Sequence, residues 1–252
     1  MDRLAITPPE ALAPAIGHLA VVGLSVAYRG VPVLSDVTWS APASGLTAIV
    51  GPNGAGKSTL IKAILGLVPS TGRVTIGGRS VDAMRDATAY VPQRATVDWD
   101  FPATALDVVL QGMVREPGWF RGYGRARRER ALALLDRVGL ADLASRQIGQ
   151  MSGGQQQRVF LARGLARNAA ILFLDEPLAG VDAASERIIL DVFDTLDRDG
   201  RLVVCVHHDL GTVSERFADV LVLNKTVIAA GPVALAFTPQ NLARAYGVPL
   251  TV

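Results

Sequence analysis

Apolar residues run through this 252-residue chain in short blocks whose period changes from place to place. Leu19 to Tyr28 and Val33 to Trp39 are rich in β-branched and aromatic residues, and Leu46-Thr-Ala-Ile-Val50 reads as a buried strand ending on a glycine-rich loop. All three predict strands. Ser58 to Leu67 instead carries Leu60, Ile61, Ile64 and Leu65, the spacing of a half-buried helix. Further strands are predicted at Arg73 to Ile76, Ala87 to Val91, Ala170 to Leu174, Leu202 to Val206, Val220 to Leu223 and Val227 to Ala229. Helices are predicted at Ala103 to Val114, Arg125 to Val138, Gly153 to Arg167 and Ala183 to Leu196. Strands alternating with helices predict an α/β fold with a mostly parallel sheet covered on its faces, behind a β-rich N-terminal part. Between 94 and 167 the pattern holds three helical stretches and no strand, which reads as a helical subdomain inserted into the core. Residues 1–18 read as a loose N-terminal extension and 19–252 as one domain.

Composition narrows the setting. With 25 Lys and Arg against 23 Asp and Glu, the net charge of +2 gives no overall drive toward nucleic acid or anionic lipid. Cys205 is alone and can form no internal disulfide, which points to a reducing cytosol. The apolar runs fall well short of the ~20 residues of a bilayer-spanning helix, and the N-terminus lacks the continuous apolar stretch of a signal peptide.

Gly51-Pro-Asn-Gly-Ala-Gly-Lys-Ser-Thr59 lies directly after an apolar strand and directly before a helix, the context in which GxxxxGK[ST] binds phosphate. Its glycines let backbone N–H groups turn inward, the helix N-terminus adds its positive end, Lys57 offers a charge to the β- and γ-phosphates, and Ser58 offers a hydroxyl to Mg²⁺. A nucleoside triphosphatase also needs a carboxylate near the metal and a group that orients water. Ile171-Leu-Phe-Leu-Asp175-Glu176 ends an apolar strand in two acids, at the strand end where open α/β sheets place ligands. Met151-Ser-Gly-Gly-Gln155 opens a helix with two glycines and offers a second anion cradle, or simply a serine N-cap. One triphosphate does not need two cradles from one subunit, so the pair suggests a dimer whose sites are shared.

The phosphate loop, Gln93 after Tyr90-Val-Pro, Ser152-Gly-Gly-Gln155, Asp175-Glu176, Asp182 and His208-Asp209 resemble, in order and spacing, the ATP-binding subunits of ABC transporters. The resemblance covers the chain from about Leu19. It implies a P-loop NTPase core, with an antiparallel β-rich N-terminal part and a helical subdomain at about 94–167. ATP and Mg²⁺ are the implied ligands. Tyr28 would stack on adenine. Gly51, Asn53, Gly54, Gly56, Lys57, Ser58 and Thr59 would hold the phosphates. Ser152, Gly153, Gly154 and Gln155 would reach the γ-phosphate of the partner's nucleotide. Ser58, Gln93 and Asp175 would hold Mg²⁺, Glu176 would be the general base, His208 would hold the γ-phosphate and water, and Asp182 would join the two active sites. Met151 replaces the usual Leu at little cost in volume. His207 stands where Thr or Ser is common, and His208 is taken as the acting imidazole because it directly precedes Asp209. The implied partners are a second ATP-binding subunit, integral membrane permease subunits and, indirectly, an extracytoplasmic metal-binding protein, with no nucleic acid. The implied location is peripheral, on the cytoplasmic face of the cell membrane.

Within that family, Val97-Asp-Trp-Asp-Phe-Pro102, Ala179-Gly-Val-Asp-Ala-Ala184 and Val206-His-His-Asp-Leu210 resemble the ATPases of bacterial transition-metal importers, manganese first, then iron or zinc. His207 and His208 adjoin at the end of a buried strand and so point to opposite faces, a poor chelate. Trp99, Phe101, Trp119, Phe120 and Tyr123 form either a partner interface or packing within the helical subdomain. The arginines of Arg121 to Arg130 read as a solvated helix face rather than a nucleic-acid patch. The rival classes are an ATP-driven clamp on nucleic acid or the ribosome, and a nucleotide sensor without turnover. A single ATPase head without sustained heptads weighs against the first, and Glu176 against the second.

Overall fold

The computed structural model describes residues 17–93, 102–113 and 124–248. Most of the N-terminal extension, the cluster Trp99, Phe101, Trp119, Phe120 and Tyr123, and Arg121 lie outside the described residues. β1 (Leu19–Tyr28) and β2 (Val31–Ala41) form an antiparallel hairpin, closed by Arg29 and Gly30 at φ 50° and 81°. Two consecutive left-handed residues match the twist of paired strands, and they start β2 two residues earlier than its apolar run does. β3 (Gly45–Val50) leads through the phosphate loop into α1 (Lys57–Ile64), and β4 (Thr71–Ile76), β5 (Arg79–Ser80) and β6 (Thr88–Val91) follow. α1 stops three residues before Leu67, where Gly66 turns left-handed at φ 68°.

α2 (Ala105–Gln111), α3 (Arg125–Arg137) and α4 (Gly153–Ala166) then pack on one another. β7 (Ile171–Asp175), α5 (Ala183–Arg198) and β8 (Leu202–Val206) return to the sheet, followed by α6 (Leu210–Arg216), β9 (Asp219–Asn224), β10 (Thr226–Pro232), α7 (Val233–Ala236) and α8 (Pro239–Tyr246). The last three helices, four to eight residues long, answer to no helix predicted from the sequence.

The strands form two sheets. One is antiparallel in the order β2-β1-β4-β5. The other runs β10-β9-β3-β8-β7-β6, parallel from β9 to β6 with β10 antiparallel at its edge. This second sheet divides two cores. Ile171 and Phe173 of β7 face the core shared with β1, β2 and α1, while Leu172 and Leu174 face the core shared with α2 to α5. β8 alternates likewise, with Cys205 on the helical side as a small buried side chain. A strand buried on both faces is apolar at nearly every position, which is why 171–174 and 202–206 read as unbroken apolar runs. Because β3, β6, β7 and β8 are parallel, their C-terminal ends bring the phosphate loop, Gln93, Asp175-Glu176 and His207-His208 to one edge.

Candidate functional site

α1 begins on Gly56, a left-handed N-cap at φ 92° with no side-chain cap, and no acid occupies its first turn. A Cβ at Gly56 would lie 2.5 Å from Leu34 Cδ2, so only glycine brings the loop this close to β2. Helix N–H groups left without a side-chain acceptor form an anion cradle. The loop lines a cleft of about 210 Å³ with Val33, Asn53, Gly54, Gly56, Lys57, Ser58, Thr59 and Glu176. Lys57 is buried, and its ammonium donates to Gly51 O at 2.8 Å and Pro52 O at 2.9 Å. Burial pulls its pKa below the usual lysine value, while Glu176 and Asp175 pull it back. Phosphate oxygens are better partners for this charge than its own loop's carbonyls.

Asp175 is fully buried at the end of β7. Ser58 Oγ donates to its Oδ1 at 2.8 Å and Tyr90 OH to its Oδ2 at 3.3 Å. Burial raises the carboxyl pKa, and these two hydroxyls and Lys62 oppose the rise, while Glu176 adds to it. Tyr90 is pushed up in turn, by burial first and then by Asp175. A hydroxyl oxygen beside a buried carboxylate is a donor set for a hard divalent ion, and Mg²⁺ carried by a nucleotide needs few more protein ligands. The residues therefore fit Mg²⁺.

Glu176 follows at φ 53°, a left-handed conformation that is strained for a non-glycine residue and turns the chain sharply out of β7. Its carboxylate has two neighbours: Gln93 Nε2 donates to Oε2 at 2.7 Å, and His208 Nε2 lies 2.6 Å from Oε1. His207 by contrast is buried against Phe217. The alternation of side chains past β8 thus puts His208, not His207, at the acid.

The remaining predicted residues stand apart from this cleft. Tyr28 is exposed at the end of β1. Ser152 caps α4 in a reciprocal box, its Oγ accepting from Gln155 N at 3.3 Å while Gln155 Oε1 accepts from Ser152 N at 3.0 Å. Within one chain, then, the serine is an N-cap, and none of Ser152, Gly153, Gly154 and Gln155 lines the cleft. Asp182 caps α5, accepting from Ser185 N at 2.9 Å and Ser185 Oγ at 2.8 Å, bonds that hold its pKa below the usual range. A Cβ on Gly154 would collide with Ser185 Oγ, so α4 can lie this close to Asp182 and Ser185 only because 154 is glycine.

One residue at the site and one helix were not predicted from the sequence. Tyr90 was visible only as the start of Tyr90-Val-Pro-Gln93, and its contact with Asp175 depends on β6 pairing with β7. α8 carried a readable signal in Thr238 as N-cap, Pro239 in the first turn and left-handed Gly247 at its end. No helix among the described residues is long and apolar enough to cross a membrane.

The profile of the ABC transporter family matches residues 34–179. The zinc transport system ATP-binding protein TroB of Treponema pallidum is 51% identical over 89% of this chain and 85% of its own length. The manganese transport system ATP-binding protein MntB of Bacillus subtilis is 51% identical over 90% of this chain and 92% of its own. Among solved structures, a nucleotide-free ATP-binding cassette from an ABC transporter superposes with a TM-score of 0.76 at 23% identity, covering 92% of this chain and 95% of that one.

Proposed function

The chain belongs to the ABC transporter family as an ATP-binding subunit, an ATPase coupled to transport, and on that premise we propose that it powers import of a transition-metal ion through a separate membrane permease. Manganese is the first candidate cargo, then iron or zinc. Two features support this cargo: similarity to TroB and MntB, named for zinc and manganese transport, and the Val97-Asp-Trp-Asp-Phe-Pro102 run. An extracytoplasmic protein captures the ion, and this chain sits peripherally on the cytoplasmic face against the permease.

The observation that carries the catalytic reading is Glu176 at the lip of the phosphate-loop cleft with Gln93 and His208 on its two oxygens. When ATP binds, Lys57 leaves the Gly51 and Pro52 carbonyls for the β- and γ-phosphates. Ser58, Asp175 and Gln93 would hold the Mg²⁺ that arrives with the nucleotide, and that ion would supply positive charge against the phosphate oxygens. Glu176 accepts the proton of the attacking water, the water oxygen bonds to the γ-phosphorus, the bond to the β–γ bridging oxygen breaks, and ADP and phosphate result. His208 and Gln93 orient that water and the γ-phosphate. Ser152 and Gly154 of a second copy close the nucleotide from the other side, and Tyr28 stacks on adenine.

Uptake in a strain deleted for this chain tests the cargo. Manganese accumulation falls and is restored by the intact gene but not by a Lys57→Ala version. Normal uptake of manganese, iron and zinc contradicts the proposal.

A further inference from the structure

We infer that His207 is a positioning residue that aims His208 at Glu176, through the hydrogen bond its Nδ1 accepts from the backbone N–H of Asp209. The inference rests on the roles proposed above for Glu176 and His208.

His207 is 5% exposed, and a buried imidazole is costly unless its nitrogens are used. Nδ1 accepts from Asp209 N at 3.1 Å, so the proton of the neutral ring sits on Nε2. Nε2 has no partner, and the ring meets Phe217 edge to face at 5.6 Å and 72°. A phenyl ring would fill the same space without burying an unpaired N–H. What imidazole adds at this position is therefore the Nδ1 acceptor. Burial, with His208 alongside, holds its pKa below the usual histidine value against the pull of Asp209, which keeps Nδ1 free of a proton.

That acceptor acts on the next residue through the backbone. The N–H of Asp209 and the carbonyl of His208 share one peptide plane, so pinning the N–H fixes ψ of His208. Upstream, the N–H of His207 donates to Ile49 O at 3.1 Å, tying the turn to β3. Downstream, the Asp209 carboxylate accepts from Gly211 N at 3.0 Å and from the Thr212 hydroxyl at 2.6 Å, opening α6. The His208 side chain is 41% exposed, so little packing surrounds it. Its direction is set by pinned residues on either side, and it still arrives 2.6 Å from Glu176.

Three variants of the full chain separate this role from packing. Phe keeps the ring and loses the acceptor. Gln keeps an acceptor one bond too far from Cβ. Asn loses the ring but puts Oδ1 two bonds from Cβ, as Nδ1 is. Steady-state ATPase assays should show kcat down about tenfold in His207→Phe and His207→Gln, the scale of one hydrogen bond, with KM within about twofold, and His207→Asn restored to within about threefold of wild type. A packing role predicts the reverse order, with Phe best and Asn worst. Wild-type kcat in His207→Phe, no recovery in His207→Asn, or a loss confined to KM overturns the inference. Thermal melting checks each fold, and if the Phe variant does not fold, the Asn and Gln pair decides the matter alone. Glu176→Gln run alongside keeps the two levels distinct. A fully active Glu176→Gln removes the catalytic reading, whereas an inactive one beside an unimpaired His207→Phe removes only the role of His207.

Discussion

Gln93 and Glu176 are 83 positions apart in the chain, yet Gln93 Nε2 donates to Glu176 Oε2 at 2.7 Å. Three residues before Gln93, Tyr90 OH donates to Asp175 Oδ2 at 3.3 Å. A four-residue stretch leaving β6 therefore holds both acids at the end of β7. This follows from the parallel pairing of the two strands, with Tyr90 opposite Phe173 and Val91 opposite Leu174. Any force that shifts this stretch is felt at both carboxylates, Asp175 and the proposed base Glu176, together.

Tyr90→Phe removes one hydroxyl and little else. With Oδ2 no longer held, Asp175 loses part of its fixed orientation. The gain in ATP affinity on adding Mg²⁺ should shrink by several-fold, toward tenfold, while affinity measured in EDTA stays put. Titration calorimetry under the two conditions reads this directly. An unchanged Mg²⁺ gain would mean that the tyrosine hydroxyl does not orient Asp175.

Asp175 is a liability to the empty protein. Its pKa is raised chiefly by burial, so the folded chain binds a proton more readily here than the unfolded chain does. By linkage, stability contributed at this site falls as pH rises from the ordinary aspartate pKa through the raised one, and the penalty is fully present above it. Asp175→Asn should therefore raise the melting temperature of the nucleotide-free chain at neutral pH by a few degrees, and abolish the extra stabilisation that Mg²⁺ adds to ATP. A lower melting temperature in the absence of nucleotide would contradict this.

The sequence carried the site more fully than the architecture. Lys57 was legible from GxxxxGK[ST] set between a strand and a helix, and Asp175 and Glu176 because they follow an apolar run buried on both faces, which marks a central parallel strand and its C-terminal end. His208 was chosen over His207 because it directly precedes Asp209, and the alternation of side chains past β8 is the physical reason that His208 reaches Glu176 while His207 is buried. Strand order was not legible, because nothing local to β3 says that it lies between β8 and β9. Nor were α6 and α7, which are seven and four residues long and too short for a helical period to show. The Tyr90 contact was hidden for the same reason as strand order, since it exists only once β6 lies against β7.

Ser152 and Lys57 are proposed to serve one nucleotide from different chains. Lys57→Ala and Ser152→Arg should each be inactive alone, yet a mixture allows one intact composite site per mixed dimer. Partial ATPase activity should therefore return on mixing the two purified proteins. Full activity in Ser152→Arg by itself would exclude the shared site.

Glu176 is proposed to accept the proton of the attacking water in a site completed by two chains. The most direct measurement is ATP turnover by Glu176→Gln, taken together with its mass in solution with and without Mg-ATP. ATP binding should be retained, turnover should fall by at least roughly 10²-fold, and a dimer should persist while ATP is bound. Hydrolysis near the wild-type rate would contradict the proposal.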